Sequence, residues 1–305
     1  MKILVTGGAG FIGSHLVERL VELGHGVVVI DNLLRGNKIP PELINRISFI
    51  HGDVRDQKLV ELLVKDVDVI FHFAAVLGVD VVADQPVETM DVEVIGTRNI
   101  VNAARKHKVK KILYASTSGI YSHSAIVQTA LSEEVNVDPR TSYAMAKRYN
   151  EIYLASHYEE SGIDCIALRF FNVYGERQDN RMVIPRFFEQ AREGKELTVF
   201  GNGLQTRDFT YIVDVIDACI ALLQVDGFHI INIANEKEWT IGELARKIVD
   251  ITNSSSTISY LDAPKKRYDY EVERRIGSSE KLFGLTGFKP KTELDFGLLQ
   301  LNTLE

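Results

Sequence analysis

Short runs of β-branched and other apolar residues alternate along the chain with longer segments of helical period. The runs Lys2–Thr6, Val27–Asp31, Ile47–His51, Asp68–Phe73, Lys111–Ala115, Ile163–Arg169 and His229–Ile233 predict seven strands. Most are apolar nearly throughout, as strands covered on both faces must be. Between them the pattern predicts helices over Gly13–Leu23 and Pro86–Lys106. The second carries Val87, Met90, Val94, Val101 and Ala104 on one stripe. Alternation of strand and helix predicts an α/β fold, a doubly wound parallel sheet with helices on both faces. After about Phe171 the loops lengthen and the elements shorten. This predicts a first domain over 1–171, with segments near 208–235 returning to it, and a smaller mixed C-terminal substrate domain over 172–305.

Composition narrows the function. The 305 residues carry 35 Lys and Arg against 42 Asp and Glu, a net charge of −7. That balance argues against nucleic acid as a partner, since phosphate counterions are displaced by a net basic face. With 45% hydrophobic and 25% charged residues the chain reads as an ordinary globular protein. The most apolar stretch, residues 67–83, is broken by Asp68, His72 and Asp80, so no membrane span is expected. Apolar strand residues begin at Ile3, so no leader is expected either. Cys165 and Cys219 are too few for a disulfide scaffold or a four-ligand zinc site, which makes a reducing cytoplasm the expected location. His72, at a strand end, reads as a packed, hydrogen-bonded ring rather than a metal ligand. No metal is expected.

The first chemical signal is Gly7-Gly8-Ala9-Gly10-Phe11-Ile12-Gly13, between the first strand and the first helix. Gly7 permits a tight turn, Gly10 lets backbone amides approach a pyrophosphate, and Gly13 lets helix and strand pack closely. The amides of Phe11 and Ile12 open the helix, whose positive end faces the phosphates. Set between strand and helix, the motif predicts a dinucleotide site in a Rossmann-type domain. Asp31 ends the second strand, 24 residues after Gly7. A carboxylate there accepts from ribose hydroxyls and repels a 2′-phosphate, which favours NAD over NADP; Arg35 is the nearest basic residue. Asp53 either bonds the adenine amino group or caps the next helix. Asn32, Val54, Phe73, Ala74 and Ala75 complete the expected cofactor contacts.

The second signal is Tyr143-Ala144-Met145-Ala146-Lys147. Residues four apart share a helix face, so phenol and ammonium converge. The Lys147 cation and the nicotinamide ring are expected to lower the phenol's pKa, making Tyr143 a base near neutral pH, with Lys147 also reaching the nicotinamide ribose. By itself such a pair more often lies on an exposed helix surface; the glycine motif before it reverses that reading.

Together with Ala115-Ser116-Thr117-Ser118-Gly119-Ile120-Tyr121, these motifs make the whole chain resemble the extended short-chain dehydrogenase/reductase family, and within it the nucleotide-sugar epimerases and dehydratases of the UDP-glucose 4-epimerase type. The resemblance implies a seven-stranded Rossmann domain with a C-terminal sugar-nucleotide domain. It implies catalytic Thr117, four residues before Tyr121, beside Tyr143 and Lys147, with Ser118 near the substrate. It implies Phe170 near the nicotinamide and Asn172 on the diphosphate of a UDP-sugar or other nucleotide sugar. Val199 and Phe200 fall in the uridine-binding stretch, Arg207 and Arg267 on phosphate, and Asp269 near a ribose; Arg274 or Arg275 could replace Arg267. The family's 4,6-dehydratases read Thr-Asp-Glu from position 117, and its UDP-glucuronate decarboxylases have Glu at 119. Ser118 and Gly119 stand there instead. The implied reaction is therefore C4 epimerisation through a transient 4-keto sugar, with UDP-glucose/UDP-galactose first and N-acetylated or uronic sugars next. Dehydratase, decarboxylase and 4-keto reductase are the alternatives. A homodimer is implied as well, pairing the helix near Pro86–Lys106 with the one starting at Tyr143, whose stripe runs through Met145, Tyr149, Ile152 and Tyr153.

Overall fold

The computed structural model describes residues 1–76, 82, 84–126, 130–262 and 272–303, with residues 123–126 described in backbone only. The chain divides into two compact units. The first comprises 1–120, 139–169 and 219–231; the second comprises 121–138, 170–218 and 232–305. Residues 121–138 thus group with the second unit rather than with the strands that precede them. Hydrogen bonds explain the grouping: the Leu131 amide donates to the Ile276 carbonyl at 2.9 Å, and the Ser278 amide to the Leu131 carbonyl at 2.8 Å.

The first unit is built on a seven-stranded parallel sheet. Its strands are β1 (Lys2–Thr6), β2 (Gly26–Asp31), β3 (Ser48–His51), β4 (Val69–His72), β5 (Lys111–Thr117), β6 (Asp164–Phe170) and β7 (Phe228–Ile233). Their spatial order is β7-β6-β5-β4-β1-β2-β3, so the order reverses at β1. Ile3, Leu4 and Val5 on β1 are fully buried, as a strand between two helix layers must be. The covering helices include α1 (Phe11–Glu22), α2 (Gln57–Val64), α3 (Pro86–His107) and α4 (Ser142–Ser161). α1 lays Leu16, Val17, Leu20 and Val21 onto the sheet at helical spacing. Asp56 caps α2 by accepting from the Lys58 and Leu59 amides, and Thr141 caps α4 by accepting from the Ala144 amide.

The stripe expected on α3 needs correction. Val101 and Ala104 are buried, but Val87 and Met90 are exposed. The buried face runs instead through Thr89, Glu93, Thr97, Ile100 and Ala104. Three of these five residues are polar, so hydrophobicity alone pointed the N-terminal half of the helix the wrong way.

The second unit is assembled from three two-stranded pairs and helices. Val173–Tyr174 pairs with Thr210–Tyr211, Thr206–Asp208 with Glu238–Thr240, and Leu197–Phe200 with Ile258–Leu261. Fully buried Asp208 gathers the amides of Asn235, Glu236 and Gly277 at 2.9 to 3.2 Å, tying three segments together. Among the described residues, no helix is long and apolar enough to cross a membrane. Nor is any group of three His, Cys, Asp or Glu side chains placed to hold a metal ion.

His72 is buried at the end of β4. Its Nδ1 lies 2.7 Å from the Thr6 hydroxyl and its Nε2 3.0 Å from that of Thr97. Burial, helped by the Lys147 cation, lowers its pKa from 6.5 to about 3. Between those values the unfolded chain binds a proton that the folded chain refuses, so this ring's contribution to stability is present above pH 6.5 and is lost as pH falls. Urea midpoints measured from about pH 7.5 to about pH 5 should fall, and His72→Gln should remove part of that slope.

Candidate active site

The glycine turn is held by close backbone approach. Gly7 has φ +68°, and a Cβ there would lie 2.7 Å from the Ala74 nitrogen; a Cβ on Gly13 would lie 2.2 Å from the Gly7 carbonyl oxygen. Only glycine is accommodated at either position. Gly10 is the N-cap of α1, with no side-chain cap and no acidic residue in the first turn. The first amides of α1, at Phe11 and Ile12, are therefore left to an external acceptor.

Asp31 ends β2 beside this turn. Its Oδ2 accepts from the Ala9 amide at 3.0 Å and its Oδ1 from the Leu33 amide at 2.8 Å. Each oxygen keeps a lone pair for a hydroxyl. Burial raises the carboxyl's pKa, against the opposing pull of those two amides.

The other expected cofactor contacts are placed less uniformly. Asp53 is in a two-point ion pair with Arg55, at 3.0 and 2.8 Å, and Arg55 continues to Glu88. That pairing draws the Asp53 carboxyl below its ordinary range. The Val54 side chain is buried against Gly96, and its carbonyl accepts from the Asn99 amide group at 3.1 Å. Asn32 is exposed and turns its Oδ1 onto the Leu34 amide. Phe73 is buried; Ala74 and Ala75 are partly exposed, with the Phe73 and Ala74 amides on the Thr6 hydroxyl. Phe170, the last residue of β6, is partly exposed.

Thr117, Tyr143 and Lys147 come together in the first unit. Thr117 ends β5, accepts from the Gly119 amide at 3.1 Å, and its hydroxyl is near enough to Tyr143 to pull the phenol's pKa down. Lys147, one turn along α4, brings Nζ to 5.4 Å from the Tyr143 ring centroid and 4.7 Å from that of Tyr114. Lys147 is fully buried, and its Nζ lies 2.9 Å from Oε2 of equally buried Glu93. This corrects the expected electrostatics: the Tyr143 phenol is pushed above its ordinary value, by burial first and the Glu93 charge second, while Thr117 pulls it down. The Glu93 carboxylate offsets part of the Lys147 charge felt by Tyr143. Ser118 is buried.

Asn172, Val199, Phe200 and Arg207 lie in the second unit's described part, as do the alternatives Arg274 and Arg275. Asn172 has a buried Oδ1 with no hydrogen-bond partner among the described residues. Val199 is fully buried in the core, whereas Phe200, next on the strand, is partly exposed, with the Arg186 guanidinium 5.5 Å from its ring centroid. Nη1 of Arg207 donates to the carbonyls of Thr206 and Val272. Arg274 is in a two-point pair with Glu238, at 2.7 and 2.8 Å. Arg267 and Asp269 lie outside the described residues.

Comparison with known proteins decides the family. The model of the NAD dependent epimerase/dehydratase family matches residues 3–234. The chain belongs to this family. It is 38% identical to a UDP-N-acetyl-alpha-D-glucosaminuronate decarboxylase of Bacillus cytotoxicus, over 97% of this chain and 95% of the relative. It is 36% identical to a putative UDP-glucose 4-epimerase of Methanocaldococcus jannaschii, with the same two coverages. Among solved structures, the UDP-glucose 4-epimerase of Thermotoga maritima with UDP-glucose superposes with a TM-score of 0.92 at 31% identity, covering all of both chains.

The cofactor of the epimerase/dehydratase family is NAD. The residues present fit it: an uncapped helix start free of acidic residues suits a pyrophosphate, and Asp31 beside it suits a ribose. Sequence reasoning missed Glu93, Tyr114 and Asn150, which surround Lys147. A signal was present, because Glu93 falls at helical spacing with Thr89, Thr97 and Ala104, on the face that turned out to be buried. In calorimetry NAD should bind more tightly than NADP, and Asp31→Ala should weaken NAD binding by roughly 1–3 kcal/mol, the range for a hydrogen bond to a charged group.

Proposed function

We propose that the chain is an NAD-dependent nucleotide-sugar 4-epimerase, acting on UDP-glucose and UDP-galactose. The observation that carries this reading is the convergence of Thr117, Tyr143 and Lys147 beside a position, Gly119, that has no side chain. A proton shuttle is thereby supplied without an auxiliary acid. When bound, NAD supplies reversible hydride transfer at sugar C4. Tyr143 takes the proton of the 4-hydroxyl and later returns it. Thr117 donates to the Tyr143 oxygen as charge develops there, and the Lys147 ammonium holds the phenolate electrostatically. In this reading the first unit binds the dinucleotide and the second binds the nucleotide sugar, through Asn172, Phe200, Arg207 and Arg267. Buried free Cys165 and Cys219 suit a reducing cytoplasm.

A decarboxylase acting on a UDP-linked uronic acid is the second reading, favoured by the Bacillus cytotoxicus relative. Incubation with UDP-glucose, UDP-N-acetylglucosamine, UDP-glucuronate and UDP-N-acetylglucosaminuronate separates the two. Proton NMR should show the C4 epimer of UDP-glucose with no carbon dioxide released; release from a uronic substrate with no epimer formed would replace the first reading by the second. Tyr143→Phe keeps the ring and should lower turnover roughly 10²–10⁴-fold while leaving substrate binding intact.

The same reading includes a homodimer formed through α3 and α4. Both helices expose large apolar side chains: Val87 and Met90 on one, and Met145, Tyr149 and Ile152 on the other. Tyr149 also stacks on Tyr153, ring centroids 6.0 Å apart. Light scattering at micromolar concentration should give twice the mass of one chain, and the double substitution Tyr149→Glu with Ile152→Glu should give the single-chain mass.

A further inference from the structure

We propose that Glu93 is a positioning residue: its carboxylate holds the Lys147 ammonium against Tyr143 and sets the pH at which Tyr143 works. The proposal rests on the reading of Tyr143 as proton shuttle. Glu93 sits on α3 with its side chain fully buried. Its Oε2 meets Lys147 Nζ at 2.9 Å and accepts from the Tyr114 hydroxyl at 3.3 Å. Asn150 donates to the Glu93 carbonyl at 3.0 Å and to the Tyr114 hydroxyl at 2.8 Å, fixing helix and ring together. The carboxylate is also faced by the Val76 backbone amide.

Stability does not account for this arrangement. A buried ion pair is commonly no more stabilising than apolar residues of the same volume. What the pair does provide is a fixed charge distribution beside Tyr143. The groups facing Glu93 and Lys147 are Tyr114 from β5, His72 from β4, and Tyr143 and Glu151 from α4. His72 is neutral, and Glu151 is bound at two points by Arg169, both distances 2.9 Å. Glu93 is thus the carboxylate in direct contact with Lys147. It offsets the ammonium's pull on Tyr143, keeping the phenolate a strong base, and denies Lys147 other rotamers.

Glu93→Gln removes the charge and keeps an oxygen for Lys147. NMR of isotope-labelled tyrosine reads the Tyr143 titration directly, in cofactor-free and NAD-bound enzyme, with Tyr143→Phe identifying the resonance. The expected result is a fall in the Tyr143 pKa of roughly one unit or more. The acidic limb of kcat/KM against pH should move the same way, with KM little changed. Glu93→Asp keeps the charge and should shift both less. An unmoved Tyr143 titration in folded Glu93→Gln overturns the proposal. If that variant does not fold, Glu93→Asp, which draws the carboxylate back from Lys147, decides: a lowered Tyr143 pKa supports the proposal and an unmoved one overturns it. Full turnover in Tyr143→Phe would overturn the shuttle reading instead, while the NMR titration would still test the coupling to Glu93.

Discussion

An ammonium taken out of water must find a carboxylate, and the first unit is organised around that requirement at Lys147. The uncompensated cost of burying such an ion is several kcal/mol even after relaxation. Lys147 lies on α4 and Glu93 on α3, so the two helices are held in the one register that puts Nζ at 2.9 Å from Oε2. Ala144 and Ala146 are buried on α4, and on α3 Gly96 makes room for Val54, from which a Cβ there would lie 2.6 Å. Asn150 then bonds across from α4 to the α3 backbone and to Tyr114 on β5, joining helix layer to sheet.

Polar groups gather at one end of the sheet. Thr6, Asp31, His72 and Thr117 end β1, β2, β4 and β5, and Arg169 is next to last on β6. In open parallel sheets this carboxyl edge, where the strand order reverses, is where ligands bind. Some are held by other side chains: Thr6 by His72, and Arg169 by Glu151, which Ser116 also bonds. Such a network is tolerable in a low-dielectric interior when its donors and acceptors are matched, and matching also makes it rigid. The polar edge and the apolar sheet behind it are thus two consequences of one strand pattern.

Much of the first unit was legible in sequence. Seven apolar runs became the seven sheet strands, with ends moved by at most two residues, because a strand covered on both faces has no polar option. The glycine turn was legible because backbone approach excludes any Cβ at Gly7 and Gly13. Legibility failed where a buried face is polar. The α3 stripe was drawn through Val87 and Met90, yet Thr89, Glu93 and Thr97 are the residues inside. It failed again for arginines, whose long side chains take whichever acceptor the fold supplies: Arg207 donates to two carbonyls, and Arg274 binds Glu238.

What the sequence by itself determined is local. The succession of strands and helices, the glycine turn, Asp31 at a strand end, and Tyr143 and Lys147 on one helix face all follow from neighbours a few residues apart. Only the tertiary structure decided what Lys147 faces. Glu93 reaches it from a different helix, and its charge adds to the burial that raises the Tyr143 phenol's pKa. Periodicity reports which side of a helix is buried; it carries no information about the charge waiting on the other side. An ion pair depends on two chain segments meeting at a few ångströms, and that distance exists only after the helices have packed.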